Sequence, residues 1–160
     1  GEILDLMSSC VSHLPEDIGY KKVVGLGMNQ IELEANSRLS SYLIHNLAVN
    51  PKLPFVNNLF DACTLTVSVQ YVVHPISVFQ EIGRVLKPNR PCIVSFSNRC
   101  FPTKAVSIWH QLSDMGHAQL VAHYYDSSGV FGTPDTADIS PNRGKTDPLI
   151  VVCAKSKNKV

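Results

Sequence analysis

Phe60-Asp61-Ala62-Cys63-Thr64-Leu65-Thr66-Val67-Ser68-Val69 is a nearly continuous run of apolar and β-branched residues, the composition of a strand covered on both faces. His74-Pro75 stops it. Ile76, Phe79, Ile82, Val85 and Leu86 then recur at three- and four-residue spacing, which predicts a helix over Pro75 to Leu86 with Gln80, Glu81 and Arg84 turned outward. Lys87-Pro88-Asn89-Arg90-Pro91 ends that helix with a basic residue, a proline and an asparagine able to take a left-handed turn. Cys92-Ile93-Val94-Ser95-Phe96 reads as a second buried strand. Strand, helix and strand this close together make a right-handed crossover, and hence a parallel sheet.

Upstream, Ile3 to Met7 is a short apolar strand broken by Asp5, and Ser8 to Ser12 is a small-residue loop leading to Leu14-Pro15. Lys22 to Asn29 is a second strand and its exit, with Asn29 placed to cap a helix from Gln30 to Ala35. Ser41 to Leu47 is a third strand, short and at a sheet edge, and Asn50 to Asn58 is a loop rich in proline and asparagine. Downstream, Ala105, Val106, Ile108, Trp109 and Leu112 mark a helix over Thr103 to Met115, and Leu120, Val121 and Tyr124 a second over Gly116 to Tyr125. Trp109, Tyr124 and Tyr125 could line a pocket, but aromatics on an amphipathic helix are more often core. Gly129 to Asp147 carries one short strand near Ala137 to Ser140, and Leu149 to Ala154 is the last strand.

A chain of 160 residues is one domain and can bury roughly 70 % of its unfolded surface. A net charge of +1 with 17 % charged residues gives no electrostatic footprint for nucleic acid or a membrane surface. The basic cluster from Lys155 to Lys159 is expected to be a solvated tail. Five cysteines with no Cys-x-x-Cys pair argue against a disulfide framework and a zinc site. Cys63, Cys92 and Cys153 fall in predicted strands, and such buried free thiols fit a reducing compartment, the cytoplasm or an organelle stroma. Six histidines lack ligand spacing, so no metal is expected, and no apolar run reaches the roughly 18 residues of a membrane span.

From residue 3 to residue 155 the order of elements and their junctions resembles the class I S-adenosylmethionine-dependent methyltransferase domain, of the type 11 kind. Phe60-Asp61 matches the Phe-Asp that opens that family's fourth strand. Arg84-Val85-Leu86-Lys87-Pro88-Asn89-Arg90 matches its Arg-Val-Leu-Lys-Pro-Gly-Gly turn, and Leu53-Pro54-Phe55 its Leu-Pro-Phe segment. The resemblance implies an α/β fold: a Rossmann-like, mostly parallel sheet with flanking helices and an antiparallel C-terminal strand. It also implies S-adenosylmethionine as cofactor and methyl transfer to a small-molecule acceptor, without a nucleic-acid or membrane partner.

By position in the family pattern, Asp5, Met7, Ser8 and Ser9 would meet the amino acid part of the cofactor, although Met7-Ser8-Ser9 replaces the usual glycines. Gly27 stands where the family has the aspartate that binds the ribose; Met28 and Asn29 follow, and Asn29 could serve as helix cap, ribose ligand or both. Asn46, with Leu47 after it, takes the place of the acid that meets the adenine amino group. Ser68, Val69 and Gln70 leave the fourth strand toward the cofactor. His74 and Tyr71 are the candidates for a general base, with His45 next, and Asn98 and Arg99 are candidate acceptor contacts, Arg99 equally a partner for a surface acid. The altered anchors leave a second reading open, a methyltransferase-like binding or interaction module without activity. A nicotinamide dehydrogenase is disfavoured, since no Gly-x-Gly-x-x-Gly follows a strand. Family members usually place helices before the first strand, so this chain, which opens on it, is expected to be a fragment or minimal form with an open cleft.

Overall fold

The computed structural model describes residues 1–159. Its strands are Glu2–Leu6 (β1), Lys22–Gly27 (β2), Ser41–Ile44 (β3), Ala62–Thr66 (β4), Pro91–Phe96 (β5), Asp135–Asp138 (β6) and Ile150–Lys155 (β7). Helices cover Gln30–Ala35 (α1), Pro75–Val85 (α2), Ser107–His110 (α3) and Asp114–Ser128 (α4). The seven strands form one sheet in the order β3-β2-β1-β4-β5-β7-β6. β1 to β5 are parallel, while β7 runs antiparallel between β5 and β6. The crossover read from Phe60 to Phe96 is therefore present, and the last strand closes the sheet in the opposite sense.

Helix α2 follows from its apolar spacing. Val78, Phe79, Ile82 and Val85 are buried against the sheet, each contributing roughly 1.5–3 kcal/mol by leaving water. Phe79 meets Tyr125 edge-on at 4.8 Å, and the Tyr125 hydroxyl donates to the Cys92 carbonyl at 2.8 Å, so α2, α4 and β5 share one core. Burial pushes the Tyr125 phenol well above its ordinary range, which keeps it a hydrogen-bond donor.

The motif residues of the crossover turn are clips. The Asp61 carboxylate accepts from the Lys87 ammonium at 2.8 Å and from the Glu2 backbone N–H at 2.8 Å, joining the starts of β1 and β4 to the turn before β5. The Arg84 guanidinium donates to Glu81 and to the Leu53 and Phe55 carbonyls, which fastens the Leu-Pro-Phe loop to α2. Asn89 takes φ 59°, the left-handed conformation that the family gives to glycine.

Four expectations are corrected. β4 is covered on one face only: Cys63 and Leu65 are buried, while Ala62, Thr64 and Thr66 are half-buried, as are Ser95 and Val151 on β5 and β7. No helix lies between β1 and β2, which a loop joins. The helix expected over 103–115 shrinks to α3, since the Val106 N–H is drawn to the Gln70 carbonyl at 2.9 Å and breaks the repeat. α4 begins at Asp114 because the Ser113 hydroxyl caps it by accepting from the Gly116 N–H, and it ends at Gly129 in the left-handed conformation that glycine adopts freely. Finally, the lysines of Lys155 to Lys159 are exposed to solvent as expected, but the segment is not a free tail. Ser156 is buried, and the Lys159 ammonium donates to the Arg84 and Leu86 carbonyls, where it complements the C-terminal end of α2.

The Lys87 hydrogen bond above all, then the Glu2 N–H, holds the Asp61 carboxyl below its ordinary range. A carboxylate lowered in the folded state stabilises above the unfolded value, and that contribution is lost as pH falls through the folded one. Asp61→Asn is expected to cost about 1.5 kcal/mol near neutral pH, with the gap to the native chain closing as pH falls below about 4, the ordinary aspartate value, as read by urea unfolding across pH.

Candidate active site

In a parallel sheet the strand order reverses where crossovers leave in opposite directions, and ligands bind beyond the carboxyl ends of the strands at that point. Here the reversal lies between β1 and β4. A cleft of about 980 Å³ opens there, running from Asn46 and Leu47 past Gly27 to Asn29, Met7 to Ser9 and Thr66 to Ser68, and on to Tyr71, Phe101 and Lys104.

Its floor is set by Asp5, only 4 % exposed. One carboxylate oxygen accepts from the Ser8 hydroxyl at 2.6 Å and the Ser12 hydroxyl at 2.5 Å, and the other from Thr64 at 3.2 Å. Asn36 extends the network to the Ser12 hydroxyl and the Ser9 carbonyl. A buried charge requires such partners, and here they hold the loop after β1 in place without glycines. The loop then crosses Gly27 so closely that a Cβ there would lie 2.4 Å from the Ser8 carbonyl oxygen. The missing ribose aspartate thus has a steric reason. Met7 and Val67, at the exits of β1 and β4, both take positive φ, 55° and 52°, a conformation that costs a non-glycine residue about 1–2 kcal/mol.

The sequence candidates separate into two groups. Asp5, Met7, Ser8, Ser9, Gly27, Met28, Asn29, Asn46, Leu47, Ser68 and Tyr71 line the cleft, as does His45. Asn29 also caps α1, accepting from the Glu32 N–H. The Asn46 side-chain oxygen accepts from the Ala48 N–H, leaving its amide nitrogen to the cleft. Val69, Gln70, His74, Asn98 and Arg99 do not line it. Val69 and Gln70 turn into the core, because the chain winds into a 3-10 turn over Val69–Tyr71 instead of continuing the strand; Gln70 is 0 % exposed. His74 precedes α2 with its ring 3.2 Å from the Ala48 carbonyl oxygen. Arg99 pairs with Asp147 at 2.5 Å, and the Asn98 side-chain oxygen faces the neighbouring Ser97 hydroxyl at 3.5 Å.

Sequence reasoning missed His13, Glu32, Phe101 and Lys104 in the lining. Lys104 was legible in one respect: no acid occurs between Glu81 and Asp114, so it has no carboxylate near it in the chain.

The residues present fit S-adenosylmethionine. The Ser68 hydroxyl is buried on the cleft wall without a partner, so a bound polar group would satisfy it. Asn46 and Leu47 would hold the adenine, Asn29 and Glu32 the ribose, and Met7 to Ser9 with Ser68 the amino acid end. Gly27→Asp, which restores the family's carboxylate, is expected to destabilise the chain by about 2 kcal/mol and to weaken cofactor binding, because its Cβ overlaps the Ser8 carbonyl; thermal unfolding and calorimetry check both.

Among the described residues no helix is long and apolar enough to cross a membrane, and no three His, Cys, Asp or Glu side chains gather as a metal site would require. The fold is shared with many solved structures. One is the [4+2]-cyclase SpnF, at 16% identity and TM-score 0.70 over 99% of this chain and 76% of that one. An S-adenosylmethionine-dependent methyltransferase from Mesorhizobium loti matches at 13% identity and TM-score 0.66, over 96% and 90%. One from Aquifex aeolicus matches at 15% identity and TM-score 0.66, over 97% and 81%. No match was found among curated proteins. The family model described as a methyltransferase domain matches residues 9–94, just over half of the chain. By that match the chain belongs to the methyltransferase domain family, a family of enzymes with S-adenosylmethionine as cofactor.

Proposed function

We propose that this chain transfers a methyl group from S-adenosylmethionine to a small-molecule acceptor bound between the turn after β4 and the loop after β5. The observation that carries it is the continuous cleft from Asn46 to Lys104, with room at the β5 end beyond the residues assigned to the cofactor. The bound cofactor supplies a methyl group already activated on a sulfonium, so the protein's contribution is proximity and orientation. Tyr71 serves that end. Its hydroxyl accepts from the Phe101 N–H at 2.9 Å, which fixes the loop over the acceptor end, and its proton remains free to donate to an acceptor oxygen. Asp5, through Ser8 and Ser12, keeps the cofactor loop in one position.

A binding module without activity is the second reading, and Gly27 in place of the ribose acid is the observation that favours it. Calorimetry with S-adenosylmethionine and S-adenosylhomocysteine separates the two. Methyltransferase function predicts micromolar binding, weakened about three- to tenfold by Ser68→Ala and by Asn46→Ala. Incubation of the chain and labelled cofactor with a cell extract should then move the label into the small-molecule fraction. Binding of neither compound by the folded chain would favour the module, and label in protein or RNA would overturn the small-molecule acceptor.

A further inference from the structure

The acceptor end of the cleft carries an uncompensated cation. Of the five lysines and arginines between Glu81 and Asp114, Arg84 pairs with Glu81, Lys87 and Arg90 with Asp61, and Arg99 with Asp147. Lys104 alone has no carboxylate partner among the described residues. Its ammonium lies 5.3 Å from the Phe101 ring centroid, and that ring is 66% exposed beside Tyr71, 6.4 Å away. The loop bearing both is fastened at each end to the turn after β4, by the Phe101 N–H on the Tyr71 hydroxyl and the Val106 N–H on the Gln70 carbonyl. An aromatic ring and an ammonium standing over one of its faces are thus held together on a fixed loop, next to the Tyr71 ring. The carboxylates of the lining lie elsewhere: Asp5 is buried under three hydroxyls, and Glu32 stands on α1 at the β2 side.

We infer that the acceptor is an aromatic or flat apolar molecule bearing an anionic group, a carboxylate or a phosphate, with its ring on Phe101 and Tyr71 and its charge on Lys104. The inference rests on the methyltransferase reading for the word acceptor, but the anion site stands on its own geometry.

The test uses benzoate and phenyl phosphate as probes, with benzamide as the neutral control, by ligand-observed NMR on the chain alone and with S-adenosylhomocysteine. Benzoate and phenyl phosphate are expected to bind with Kd on the order of 1 mM, three- to fivefold more tightly than benzamide. Lys104→Gln abolishes that preference and Lys104→Arg retains it, with S-adenosylhomocysteine affinity unchanged in both. Absence of anion binding, or a preference that survives Lys104→Gln, overturns the proposal. So does a loss confined to S-adenosylhomocysteine, which would put Lys104 on the cofactor. If S-adenosylhomocysteine fails to bind while the preference still tracks Lys104, the anion site holds and the transferase reading falls.

Discussion

The buried carboxylate of Asp5 is the constraint on which the rest of the site depends. At the end of β1, between β2 and β4, it has no solvent to hydrate it, so hydroxyls must come to it. Ser8 and Ser12 come from the loop that follows, and Thr64 from the neighbouring strand. In that geometry the loop is drawn down over the end of β2, which fixes the Ser8 carbonyl against Gly27 and leaves no room for a side chain there. The loop without glycines after the first strand and the residue without a side chain after the second therefore meet at one contact.

A second set of polar contacts, at the opposite end of the central strands, accounts for the family's most visible sequence motifs. Asp61, Lys87 and Arg84 touch no part of the cleft, yet they join the start of β1, the start of β4, the turn before β5 and the loop before β4. Their chemistry is structural. It keeps the crossover in register so that the carboxyl ends of the strands meet at one cleft.

Much of the fold was legible because it rests on local rules: the apolar spacing of α2, the proline and asparagine of the turn after it, and the Asn29 cap of α1. What was not legible rests on contacts between distant segments. The pull of the Gln70 carbonyl on Val106 shortens α3, and the docking of Lys159 on the end of α2 orders the C-terminal lysines. At the site, residues near the strand ends lie in the cleft where register predicts. Gln70 and Val69 do not, because a 3-10 turn rotates them into the core within two residues of Ser68. Arg99 found Asp147 across 48 positions of chain, a pairing that no local pattern announces.

We propose that the loop held by Asp5 forms the floor of a cofactor site spanning β3, β2, β1 and β4. The most direct test of this proposal is a titration of the isotope-labelled chain with S-adenosylhomocysteine, followed by amide NMR. Shifts are expected at Ser8, Ser9, Met28, Asn46, Leu47 and Ser68, with Asp61 and Lys87 unmoved. Shifts centred elsewhere, or none in a folded chain at millimolar ligand, would contradict it.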